Sequence, residues 1–142
     1  RVLSVILIQL GLILISIPCA VAARTILKNT SNPAGMNANA IMYAIVLIGY
    51  AVSNRIMIPN GYRKNFKTLW SFFGSLAAYI LISGTAELMI AVTAGDNGLL
   101  NGTASSDIMR QLPLLAVAAM IYGIMNVRTY KVAARNFERA EI

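Results

Sequence analysis

The sequence has 142 residues, 58% of them hydrophobic and 12% charged, with a formal net charge of +7. Soluble domains carry about 25% charged residues, so this balance and a mean hydropathy of +0.68 point to a chain embedded in a membrane. Histidine is absent and Cys19 is the only cysteine. That excludes an intrachain disulfide, a CxxC redox pair, a Cys-rich zinc site, His-based metal or haem ligation and a His general base.

Four apolar segments follow in chain order. The first, Val2–Ala23, holds no charge, and Gln9 is its only strongly polar member. About 20 such residues, rising ~1.5 Å each, cross a bilayer core of ~30 Å. Pro18-Cys19-Ala20-Val21-Ala22-Ala23 resembles a signal-peptidase site. The apolar run exceeds the roughly 7–15 residues of a signal core, so a retained helix is expected. Because the chain opens on Arg1 and not on Met, its true start is expected upstream. The second segment is Asn39–Ile58. The third is Leu69–Ala94, with Glu87 inside it. The fourth runs from Leu112 to Met125 and continues to Tyr130. The second and fourth meet Arg55 and Arg128 early and span if these side chains snorkel toward headgroups. No strand-like alternation suited to a barrel is present. The expected fold is all-α: one transmembrane domain over residues 1–142, a four-helix bundle with helices at about 2–23, 39–58, 69–94 and 112–130.

The connections carry turn chemistry, in Asn29-Thr30-Ser31-Asn32-Pro33-Ala34-Gly35, Pro59-Asn60-Gly61 and Gly95-Asp96-Asn97-Gly98. Basic residues set orientation. The second loop has Arg55, Arg63, Lys64 and Lys67, and the tail has Arg128, Lys131, Arg135 and Arg139. The first loop has only Arg24 and Lys28, and the third has Arg110 offset by Asp96 and Asp107. Both termini and the second loop are therefore expected in the cytoplasm. The positive charge reads as attraction to anionic headgroups, about 1 kcal/mol per residue, with membrane lipids as partners and no nucleic acid. Tyr62, Phe66 and Trp70 fit an interfacial aromatic belt on the same side. Asn29-Thr30-Ser31 and Asn101-Gly102-Thr103 are sequons in the predicted outer loops, which makes Asn29 and Asn101 candidate glycosylation sites.

The second and fourth helices resemble each other. At an offset of 72 residues Ala44 meets Ala116, Tyr50 meets Tyr122 and Asn54 meets Asn126. Tyr-x-x-x-Asn thus recurs near the end of each helix, followed by Arg55 or Arg128. Helical hairpins repeated in this way are a common transporter plan; chance identity between apolar helices is the alternative. The segment Ala38-Asn39-Ala40-Ile41, leading to Asn54-Arg55, resembles the GtrA-like family of small four-helix membrane proteins, whose second and fourth helices close on an Asn-Arg-aromatic signature. Asn126-Val127-Arg128-Thr129-Tyr130 is a looser second copy, and Pro59 stands where an aromatic is usual. The resemblance implies a partner of a membrane glycosyltransferase that moves a polyprenyl-phosphate-linked sugar across the bilayer.

Candidate site residues follow from charge and spacing. Arg offers a planar fork for phosphate and Asn an amide donor, so Asn54, Arg55, Asn126 and Arg128 are candidate contacts to a lipid phosphate, against plain snorkelling. Glu87 is the one acidic residue inside an apolar segment, a costly and often functional placement. It lies near the outer boundary, where an intramembrane ion pair with Arg110, or a pairing with a partner subunit, is expected. Gln9, Ser16, Ser53, Ser83 and Thr85 are expected to form interhelical hydrogen bonds, and Gly49-x-x-x-Ser53, Gly74-x-x-x-Ala78 and Ala119-x-x-x-Gly123 to form close-packing faces. No nucleophile elbow, P-loop or carboxylate cluster occurs, so catalysis, cofactors and metals are not expected of this chain. Two functions remain: an accessory or structural subunit of a larger membrane complex, one that a membrane enzyme could include, or a flippase-like carrier.

Overall fold

The computed structural model describes residues 2–27, 37–62, 68–93 and 98–140. Four long helices occur among these residues: α1 (Val2–Leu27), α2 (Ala40–Asn60), α3 (Thr68–Thr93) and α5 (Ser105–Ala140). A single turn, α4 (Gly98–Asn101), precedes the last. All four long helices are long and apolar enough to cross a membrane, and the described residues contain no strand. The backbone closes its hydrogen bonds inside each helix, which lipid demands.

Helix α2 is the hub, packed on α5 along one face and on α3 along another. Toward α5 it presents Ala44, Leu47 and Ala51, which with Ala118 and Tyr122 make the buried core. The spacing of three and four residues keeps these on one stripe, and the alanines let the two backbones approach. Toward α3 it presents Gly49 and Ser53. The Tyr79 ring lies so close to Gly49 that an added Cβ would stand 2.8 Å from it. Tyr79 also stacks on Tyr50, with centroids 5.9 Å apart, and the Ser53 hydroxyl donates to the Ser75 carbonyl at 3.2 Å. The Gly49-x-x-x-Ser53 face is thus a helix contact. Ala119 and Gly123 are exposed, and nothing lies within 4 Å of a Cβ at Gly123.

The fourth helix is longer than the apolar run suggests. It begins at Ser105 and not at Leu112, and ends at Ala140 and not at Tyr130. Ser and Asp in its first turn suit the exposed N–H groups there, and Pro113 is carried inside it. Its 36 residues measure about 54 Å, against a hydrocarbon core of ~30 Å. The extension has its own amphipathic face: Ala133 is buried, and Phe137 meets Tyr62 edge-on at 5.9 Å. Val2, Leu3, Tyr62, Tyr130, Ala133, Ala134 and Phe137 line a mainly apolar cavity of about 570 Å³. The start of α1, the turn after α2 and the last turns of α5 therefore share one end of the bundle.

Gly49→Ala should lower the unfolding stability in detergent by about 1–3 kcal/mol through overpacking against Tyr79. Gly123→Ala, with open space around it, should leave thermal unfolding unchanged. Equal effects of the two would contradict the packing described.

Candidate functional site

The most concentrated polar chemistry sits where α1, α2 and α5 meet. Gln9 and Asn54 form a reciprocal carboxamide pair: Gln9 Nε2 donates to Asn54 Oδ1, and Asn54 Nδ2 donates to Gln9 Oε1, each at 2.9 Å. Asn54 Nδ2 also donates to Asn126 Oδ1 at 3.0 Å. The Tyr122 hydroxyl donates to Gln9 Oε1 at 3.0 Å, and Asn126 Nδ2 to the Tyr122 carbonyl at 2.9 Å. Both amide protons of Asn54 are thereby engaged. Asn54, Asn126 and Tyr122 are buried. Ser16 adds a weaker link, its hydroxyl 3.4 Å from the Tyr43 hydroxyl.

The repeat-related residues thus touch one another. Asn54 and Asn126 stand 72 positions apart and meet at the α2–α5 interface. A second pair at the same offset, Asn39 and Gln111, shares one acceptor at the opposite end. Asn39 Nδ2 reaches the Gly102 carbonyl at 3.3 Å and the Leu100 carbonyl at 3.0 Å, and Gln111 Nε2 donates to Gly102 at 3.0 Å. Asn39 also caps α2 by accepting from the Met42 N–H. Sequence identity alone missed this pair because Asn and Gln differ; a search for shared amide chemistry would have found it.

Of the four candidate phosphate contacts, Asn54 and Asn126 point inward, their carboxamides bonded within the bundle. Arg55 and Arg128 are exposed, and Arg55 Nη1 lies 3.5 Å from the Arg128 carbonyl. A polar pocket of about 220 Å³ lies beside Arg55, which lines it with Pro59, Asn60, Val132 and Asn136. Asn136 Nδ2 donates to the Pro59 carbonyl at 2.7 Å, satisfying one of the carbonyls that the end of α2 leaves over.

The expected Glu87–Arg110 pair is not formed. Glu87 is on α3, which packs chiefly on α2, and no ion pair joins the two among the described residues. Glu87 instead edges a groove between α2 and α3. Asn101 Oδ1 accepts from the Asn37 N–H at 2.7 Å, and the Asn101 carbonyl accepts from Asn37 Nδ2 at 2.9 Å, so this sequon residue clamps α4 to the start of α2. Asn29 lies outside the described residues. Among those described, no group of three or more His, Cys, Asp or Glu side chains could hold a metal ion.

Comparison with family models, curated proteins and solved structures finds no match to this chain.

Asn54→Ala and Asn126→Ala should each destabilise the bundle by about 1–3 kcal/mol. A double-mutant cycle should return a coupling of about 0.6–1.7 kcal/mol, the range for hydrogen bonds between membrane helices. Strict additivity would place the two residues apart.

Proposed function

We propose that this chain is a small non-catalytic polytopic membrane protein that serves as an accessory, structural subunit packed within a larger membrane complex. One observation carries the reading: Glu87 aside, the polar side chains where the spans meet bond to the chain's own groups. Gln9, Asn54, Tyr122 and Asn126 bond one another, and Ser53 bonds across to α3. Ser75, Ser83, Thr85 and Thr129 donate to carbonyls of their own helices. A carrier needs such groups turned toward its cargo; a scaffold needs them turned inward. Gly84 and Gly123, each with open space around it, give another helix points of close approach.

A second reading, a flippase-like carrier, is favoured by a different observation. Repeat-related Asn54 and Asn126 meet, as symmetry-related hairpins do around a transporter site, and Arg55, whose Nη1 lies 3.5 Å from the Arg128 carbonyl, lines a polar pocket at one end. This is the GtrA-like alternative, translocation of a polyprenyl-phosphate-linked sugar, with the two arginines meeting the phosphate.

Purification in mild detergent followed by mass spectrometry separates the two. A stoichiometric set of membrane-protein subunits is expected; a lone glycosyltransferase partner or a simple homo-oligomer would contradict the subunit reading. Arg55→Lys with Arg128→Lys keeps charge but loses the planar fork. It should leave assembly intact, whereas loss of sugar-lipid transfer would favour the carrier.

We also propose that the end bearing Arg55 and Arg128 is cytoplasmic, supported by its basic excess. In a Cys19→Ser background, an impermeant thiol reagent on intact cells should label Ala104→Cys and spare Gly61→Cys. The reverse pattern would invert the topology.

A further inference from the structure

The groove between α2 and α3 is lined by Met42, Ile45, Val46 and Gly49 on one wall and by Tyr79, Ile82, Ser83 and Glu87 on the other. Its volume is about 170 Å³. Tyr79, Ser83 and Glu87 follow at intervals of four residues, so they form one row along α3. Gly49 makes room for the Cδ2–Cε2 edge of the Tyr79 ring against α2, and the row stands beside it. Ser83 donates its own hydrogen to the Tyr79 carbonyl at 3.0 Å, so toward the groove its oxygen is an acceptor. Glu87 is exposed and pairs with no cation among the described residues. The oxygens of Ser83 and Glu87 thus present acceptors to a ligand.

Depth narrows the occupant further. Glu87 precedes Thr93, the last residue of α3, by about 9 Å of helix. A carboxylate there sits just inside the apolar boundary, where leaving it unpaired is costly. A molecule that already lies in the bilayer, with an ammonium at the boundary and its tail alongside apolar walls, meets these conditions.

We propose that this groove binds the primary ammonium headgroup of an aminophospholipid, with Glu87 as counter-ion and Ser83 as second acceptor. A primary ammonium supplies N–H donors to both oxygens. A quaternary choline headgroup has none, and an anionic glycerol headgroup is repelled by the carboxylate. The inference does not depend on the subunit reading above.

Native mass spectrometry tests it on protein taken from vesicles of equal parts phosphatidylethanolamine, phosphatidylcholine and phosphatidylglycerol with identical acyl chains. Wild type should retain phosphatidylethanolamine over phosphatidylcholine by about tenfold, the scale of one charge-assisted hydrogen bond. Glu87→Gln, similar in shape, should bring the ratio close to parity while helix content and thermal unfolding stay unchanged. Ser83→Ala should narrow the ratio without abolishing it. An unchanged preference in Glu87→Gln, or equal retention of the two lipids by wild type, would overturn the proposal. Loss of an oligomer or partner in Glu87→Gln, with lipid retention unaltered, would give Glu87 to a protein cation and overturn it as well.

Discussion

The carboxamide cluster of Gln9, Asn54 and Asn126, closed by the Tyr122 hydroxyl, ties three of the four long helices together. Its importance follows from the solvent. Apolar side chains gain little by exchanging lipid for one another, so membrane helices associate through close packing and interhelical hydrogen bonds. Helix α1 shows the consequence most plainly. It touches the rest of the bundle along one stripe of Val2, Ile6, Gln9, Ile13 and Ser16, and most of its apolar side chains face outward. Carboxamides stranded in hydrocarbon would each carry a desolvation cost, so the alternative to the cluster is worse than its modest net gain suggests.

The remaining packing is arranged around α2. On one side, alanines and Leu47 accept α5; on the other, Gly49 and Ser53 accept α3. Both ends of the α2–α5 pair are then pinned by polar side chains on main-chain carbonyls. Asn39 and Gln111 converge on Gly102 at one end, and Asn136 reaches Pro59 at the other. Residues at one repeat offset thus make the same kinds of contact, which gives physical content to an otherwise modest sequence similarity. The long α5 extension adds an amphipathic coda that packs through Phe137 on Tyr62.

Much of this was legible in the sequence, and the misses have identifiable causes. Length and hydropathy place four spans, because apolar runs that reach across a bilayer, with flanking arginines free to snorkel, have few other uses. Gln9 and Ser53 bond across helices as expected, but Ser83 and Thr85 close on their own helices. The direction in which Asn54 and Asn126 point was not readable. A helix apolar all round lacks the contrast that marks an inward face, so an Asn beside an Arg reads equally as an interface residue or a buried one. The same blindness set Glu87 against Arg110, since nothing in the sequence tells that α2 stands next to α3 and α5 alike. The charged tail from Arg135 to Ile142 reads as helical in the sequence, and helix does run to Ala140; its unbroken continuity with the fourth span was missed because hydropathy ends at Tyr130 whereas the amphipathic pattern of Ala133, Asn136 and Phe137 continues.

If the cluster holds the bundle, its amide protons are withdrawn from water and lipid alike. Protein labelled with ¹⁵N at the Asn and Gln side chains, reconstituted in nanodiscs, allows proton exchange at Asn54 and Asn126 to be followed directly by NMR. Both carboxamides should exchange far more slowly than that of a solvent-exposed Asn, and Gln9→Leu should release Asn54 first. Exchange of Asn54 and Asn126 at the rate of a free carboxamide in the wild-type protein would contradict the cluster and the role assigned to it.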